Sequence, residues 1–206
     1  MIQEVVEQIE NTVRDVMNSN LHTNMPAEIV GMDLEKGLVD LKPVGSYYMN
    51  GLEMEYPVIS SVPLVLNASG EASFVSPIHV GDTVLMACAE QSLSTWLTGT
   101  SKHQMDERYE LQNAMAIPGL QKEAVKAQEE ANSEEAYILT NGSTKCKIKA
   151  DGVQIECSGV TINITDGAVS ISGAGKINLG SETSISGDLS ISGDLSVSGN
   201  YPGRSS

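Results

Sequence analysis

Apolar residues recur at steps of three and four over the first twenty positions, which is the spacing of one face of an α-helix. They are Ile2, Val5, Val6, Ile9, Val13 and Val16. The acidic residues between them fall mostly on the opposite face. The pattern predicts an amphipathic N-terminal helix over residues 1–22. Such a helix packs on its own domain, or it docks on a partner or on copies of itself.

Short alternating runs separated by turn residues occupy residues 23–118. Residues 27–30 and 37–41 alternate around a turn at 33–37, and Gly81-Asp82 precedes the apolar run of residues 83–89. Strands of this length and spacing are typical of a small β-barrel. The pattern therefore predicts one barrel domain.

The composition changes at residues 119–136, where lysines and glutamates stand among alanines. This segment is predicted to be a charged helical linker. We interpret four of its acids as a solvated helix face: Glu129, Glu130, Glu134 and Glu135.

Residues 137–206 are rich in Gly, Ser and Thr and carry strictly alternating aliphatic residues. Towards the end a six-residue repeat starts at Ser184, Ser190 and Ser196, and a fixed period is the signature of a solenoid or fibre. The predicted apolar core of this segment comprises Val153, Ile155, Ile162, Ile164, Val169, Ile171, Ile177, Leu179, Ile185, Leu189, Ile191, Leu195 and Val197.

One copy of this segment buries too little apolar area to offset its ordering entropy, and its strand edges leave backbone groups unpaired. Three copies wound together solve both problems, because the aliphatic residues fill a narrow core and the edges pair between chains. The sequence therefore predicts an intertwined triple-stranded β-helix formed by a homotrimer. Strict alternation argues against a disordered linker.

Composition narrows the function class. Among 206 residues the formal charge is −15 and aromatic residues make up 4%. This argues against nucleic-acid binding, which needs basic and stacking side chains. The three cysteines (Cys88, Cys146 and Cys157) have neither zinc spacing nor an even count, so they are predicted to be buried thiols in a reducing compartment.

Four motifs in the middle of the chain resemble a known family. They are Pro57-Val58-Ile59-Ser60-Ser61-Val62-Pro63-Leu64, Pro77-Ile78-His79-Val80-Gly81-Asp82, Ala89-Glu90-Gln91-Ser92-Leu93-Ser94-Thr95-Trp96-Leu97 and Asn113-Ala114-Met115-Ala116-Ile117-Pro118-Gly119-Leu120. In this order they resemble the N-terminal barrel of phage baseplate central spikes, the baseplate-assembly-V-like proteins of contractile tails. Gln91 and Ser94 replace an Arg and an Asp that are usual there.

The resemblance implies an OB-fold at residues 23–118, a homotrimer and a mainly β fold that ends in the β-helical spike of residues 137–206. It implies a baseplate component of the virion tail, assembled in the cytoplasm of the host bacterium. The helix and barrel would seat on the baseplate hub protein, and the spike would pierce the outer membrane when the sheath contracts.

Relatives that bind iron at the spike apex end in a His-x-His pair, whereas this chain has only His22, His79 and His103. We therefore expect no metal and no cofactor. The predicted tip is Asn200, Tyr201, Pro202, Gly203 and Arg204, which either plugs the spike or is capped by a separate tip protein.

The sequence offers no catalytic residues, because no histidine stands near a nucleophile in a catalytic motif. Some proteins of the family that this chain resembles carry a lysozyme domain between barrel and spike, but residues 119–136 are too short for one. Two other functions stay open. One is a hexapeptide-repeat left-handed β-helix acyltransferase, and the other is an OB-fold ligand-binding module.

Overall fold

The computed structural model describes residues 2–49, 52–99, 108–173 and 175–199. These form two compact units, Met1–Val125 and Lys126–Ser206. The architecture is mainly β, with few helices, as the sequence predicts. The first helix, α1, spans Ile2–Asn20 and covers the predicted amphipathic segment.

A five-stranded antiparallel sheet forms the centre of the first unit. Its strands are β1 (Asn24–Asp33), β2 (Leu38–Pro43), β5 (Ile59–Pro63), β8 (Thr83–Cys88) and β9 (Ala114–Pro118). Their order is β5-β2-β1-β8-β9, and a parallel bridge between Leu64 and Ala116 joins the two outer strands. The result is an OB-like half-barrel.

Alternation along the strands places every second side chain in the core of this half-barrel, because neighbouring residues of a strand point to opposite faces. The fully buried residues include Ile29 on β1, Leu41 on β2 and Met86 on β8. The Gly81-Asp82 turn before β8 is held against β1, because Gly81 N donates to Ile29 O (2.8 Å) and Ile29 N donates to Asp82 O (2.9 Å). Gly81 has φ +96°, a conformation that favours glycine.

Smaller elements complete the first unit. Two hairpins are formed by β3 (Ser46–Met49) with β4 (Leu52–Glu55) and by β6 (Asn67–Ser69) with β7 (Ala72–Phe74). A short helix, α2, spans Leu93–Thr98. Ser92 caps its N-terminus, and Gly99 ends it with φ +69°.

The second unit starts with helix α3 (Lys126–Glu134). A five-stranded antiparallel meander follows, and its strands lie side by side in chain order. They are β10 (Tyr137–Asn141), β11 (Thr144–Lys149), β12 (Gly152–Cys157), β13 (Val160–Thr165) and β14 (Ala168–Ser172). Gly152 is required where β12 approaches β13, because an added Cβ would lie 2.2 Å from the carbonyl oxygen of Ile164.

Residues 175–199, which hold most of the six-residue repeats, contain no strand or helix in the part of the chain that the structure describes. A strand needs a hydrogen-bonded neighbour, and the predicted neighbours of these residues belong to other copies of the chain. The triple-stranded β-helix therefore stays a prediction. In the single chain, residues 137–172 instead pair with themselves as a meander.

Candidate functional site

The meander of the second unit has two faces of opposite character, because directly paired residues of antiparallel strands share a face. One face carries the lysines of β11, namely Lys145, Lys147 and Lys149, and we call it the lysine face. The other face is aliphatic, and we call it the open apolar face. Its members are Leu139, Cys146, Ile148, Val153, Ile155, Ile162, Ile164, Val169 and Ile171.

Helix α3 lies on the lysine face and is held there by a continuous ion-pair network. Glu130 contacts Lys145 Nζ and Lys147 Nζ, both at 2.7 Å. Glu134 contacts Lys147 Nζ at 2.9 Å and Lys149 Nζ at 2.6 Å. Lys147 is the central residue, because it is only 8% exposed and bridges both glutamates.

The network shifts the pKa values of its members. Hydrogen bonds from Lys149 and then Lys147 lower the pKa of Glu134 to about 2, and hydrogen bonds from Lys145 and then Lys147 lower the pKa of Glu130. Hydrogen bonds to Glu130 and then Glu134 raise the pKa of Lys147. All three groups are therefore charged at neutral pH.

Acid is expected to release α3 from the sheet. A carboxylate whose folded pKa is depressed contributes stability above its unfolded pKa of 4.5, and this contribution is lost as the pH falls towards 2. The raised pKa of Lys147 leaves its contribution intact at neutral and acidic pH. Protection factors of the α3 amides, which correct for the intrinsic pH dependence of exchange, should fall below pH 4.5 more than those of β1 when measured from pH 6 down to pH 2. An equal loss of protection in both elements would contradict the expectation.

The sequence-based interpretation of residues 119–136 needs one correction. Glu130 and Glu134 do not lie on a solvated helix face, because both are paired with lysines of the sheet. Glu129 and Glu135 are exposed, as expected. The pattern of the helix alone could not reveal this, since the three alternating lysines that select one face of α3 lie on β11.

The open apolar face is uncovered in the single chain. Val169 is 68% exposed, and Ile148, Ile164 and Ile171 are each more than 40% exposed. The usual arrangement is thus inverted, because a lysine is buried while neighbouring isoleucines face solvent. Monomeric soluble proteins rarely expose a contiguous apolar surface of this kind.

Every predicted spike-core residue that lies in the meander is placed on this face. Val153 pairs with Ile164, which pairs with Val169, and Ile155 pairs with Ile162, which pairs with Ile171. The remaining members lie in residues 175–199 and are between 45% and 69% exposed: Ile177, Leu179, Ile185, Leu189, Ile191, Leu195 and Val197. The predicted tip, residues 200–204, lies outside the described residues.

In the described ranges, no group of three or more His, Cys, Asp or Glu could hold a metal ion. Cys88 packs against the half-barrel core, and burial raises its pKa to about 11. Cys146 is half-buried on the apolar face, whereas Cys157 is exposed, unlike the buried thiol that the sequence predicts. His22 lies edge-on to Tyr56, and His103 lies outside the described residues.

No helix in the described part of the chain combines the length and apolar character needed to cross a membrane.

A buried asparagine connects two segments of the half-barrel that are distant in sequence. Asn113 is 5% exposed, accepts a hydrogen bond from Leu93 N (2.8 Å), and donates to the carbonyl oxygens of Ala89 (3.0 Å) and Gln91 (2.9 Å). These bonds tie the segment that leads into α2 to the start of β9. Sequence reasoning singled out both segments but not this connection, because a lone asparagine before a strand is no distinctive signal.

Replacing Asn113 with alanine is expected to destabilise the half-barrel by about 2 kcal/mol, because Leu93 N and Gln91 O lose the partner that Asn113 supplies in a part-buried region. Urea unfolding followed by far-ultraviolet circular dichroism would measure the loss. The exposed neighbour Gln112→Ala serves as the control and should change stability by less than about 0.5 kcal/mol. Equal effects of the two substitutions would show that the asparagine bonds are dispensable.

The comparison with protein families finds a match within the first unit. Residues 25–119 match the family model described as the phage protein Gp138 N-terminal domain. The matched residues span β1 to β9 and make up just under half of the sequence, and they support a structural role in a phage particle as the general function class. A comparison of the chain with curated proteins finds no significant match.

Proposed function

We propose that this protein is the homotrimeric central spike of a contractile-tail baseplate, which pierces the bacterial outer membrane when the sheath contracts. The observation that carries the proposal is the open apolar face of the second unit, in a chain whose first unit matches the model of a phage protein domain. The open apolar face spans residues 139–171, and the apolar residues that follow it, including those of the six-residue repeat, span residues 177–197. Both need a covering surface that one chain does not supply.

Two further copies of the chain supply that surface. Helix α3 already covers the lysine face, so the open apolar face is the one left to turn inwards. The outer edge of β14 has no strand beside it in the described meander, and a neighbouring copy can pair with it. Threefold symmetry closes such an arrangement without leaving a free edge.

The proposed action is mechanical and needs no catalytic residue. A prism with a dry aliphatic core and fully paired strands resists bending and unfolding under load. Its Ser, Thr, Asn and Asp side chains then face water. The proposed location is the tail baseplate of the virion, after assembly in the host cytoplasm.

The proposed partners follow from the same geometry. The hub protein would bind α1 and the half-barrel, and a separate tip protein is an option at residues 200–204. Contact with the outer membrane is transient, and nucleic acid is no partner, because the chain carries a formal charge of −15.

Light scattering of the purified chain tests the assembly. The full chain should have a mass of about three times 21.9 kDa, and a chain ending at Val125 should lose the stable trimer. A full-length monomer would overturn the proposal, as would a trimer unaffected by the truncation. Immunogold labelling of tail particles then tests the location, with label expected only at the end of the tail that meets the cell.

A further inference from the structure

The N-terminal helix presents a second apolar surface that the half-barrel does not cover. Along α1, Ile2 is 84% exposed, and Val6, Ile9 and Val13 are each about half exposed. These residues share one face of the helix, because they recur every three or four positions. We call Ile2, Val6, Ile9 and Val13 the α1 stripe.

The spacing of the α1 stripe fits a helical partner. Its steps are four, three and four residues, and Val16 continues them with a step of three. This is the alternation of a and d positions in a heptad, with Val6 and Val13 at a and Ile2 and Ile9 at d. A period of 3.5 residues matches another helix in a coiled coil, whereas packing on a barrel surface does not require it.

The residue types indicate the number of helices. Every member of the α1 stripe is β-branched, and isoleucine at d shifts coiled coils from dimers to trimers or tetramers. Charge is compatible with identical partners. Glu4 and Glu7 lie away from the stripe, and Glu10 at an e position faces the g positions of a parallel neighbour, where Val5 and Thr12 stand. No like charges therefore meet across the seam.

We propose that α1 forms a parallel three-stranded coiled coil with the α1 helices of two other copies of the chain. The inference rests on the proposed trimer, since fewer than three heptads do not assemble stably alone. In the trimer, the other units hold the three helices at an effective concentration in the millimolar range. The helices run parallel because a threefold axis relates them.

Disulfide trapping in the full-length chain tests this arrangement. Ile9→Cys places a thiol in the seam, and the matched Glu7→Cys places one on the outside of the same helical turn. Both variants and the wild type are weighed by light scattering, oxidised and separated on non-reducing gels, and linked peptides are mapped. The expected result is a trimer in all three proteins, with a covalent link between two copies at position 9 in Ile9→Cys only.

The outcomes separate the two proposals. A trimer in which position 9 links no better than position 7 overturns the coiled coil alone and leaves the hub protein as the partner of α1. A wild type that is not trimeric overturns the proposed function together with the coiled coil.

A second variant tests the stripe without a cross-link. Ile9→Asp should leave the mass trimeric, because the second unit holds the copies together, while α1 amide exchange accelerates at least about tenfold. Glu7→Asp should leave the exchange unchanged. Equal exchange in Ile9→Asp and the wild type would also overturn the coiled coil.

Discussion

Replacing both Ile185 and Ile191 with aspartate is expected to abolish the trimer. These residues occupy equivalent positions of consecutive six-residue repeats and are about half exposed in the single chain. In a threefold spike they meet their counterparts in a dry core, so the change would bury six carboxylates close together. Burying each charge without a partner costs several kcal/mol, which exceeds what the aliphatic contacts supply. Light scattering and thermal unfolding would record monomers and the loss of any heat-resistant assembly.

The matched control adds the same charges to the same repeats on the alternate positions. Ser186 and Ser192 each follow one of these isoleucines, so their replacement with aspartate places the carboxylates on the opposite face. We expect this control to remain a trimer. If the isoleucine variant is as trimeric and heat-resistant as the control, the apolar residues of the repeats do not form the spike core.

Removing both carboxylates that α3 presents to the sheet is expected to detach the helix. In the Glu130→Ala, Glu134→Ala double variant, Lys147 is left nearly buried without either of its partners. A buried charge that loses its partners is strongly unfavourable, so the sheet must expose Lys147 to water. Alanine is the best helix former, and the loss is therefore one of docking rather than of helix propensity. Hydrogen exchange of α3 and β11 amides should increase sharply.

Glu129→Ala combined with Glu135→Ala is the control for this experiment. Both residues are exposed, and their replacement removes the same charge from the same end of the unit. In this variant the exchange rates of the α3 and β11 amides should stay close to those of the wild type. Similar acceleration in both double variants would mean that net charge, and not the contact with Lys147, governs how α3 is held.

The half-barrel shows which structural features a local sequence pattern can predict and which it cannot. Strand alternation, the turn at residues 33–37 and the Gly81-Asp82 turn are all visible as short-range signals, and β1, β2 and β8 form where they predict. The role of Asn113 was not predictable, because its partners at residues 89, 91 and 93 are about twenty positions away. Trp96 lies on α2 and is 73% exposed. A single residue in a short helix has no period from which its buried side can be inferred.

The sequence by itself determined which residues of each segment share a face: the α1 stripe, the inner positions of the barrel strands and the alternating aliphatic residues after position 137. Periods of 3.6 and 2 are properties of the backbone, so the order of residues is enough to read them. Only the tertiary structure decided what each face meets. It placed α3 on the lysine face, buried Lys147 between two glutamates and left the isoleucines uncovered. Those outcomes depend on strand register and on contacts between distant segments, which no local period encodes.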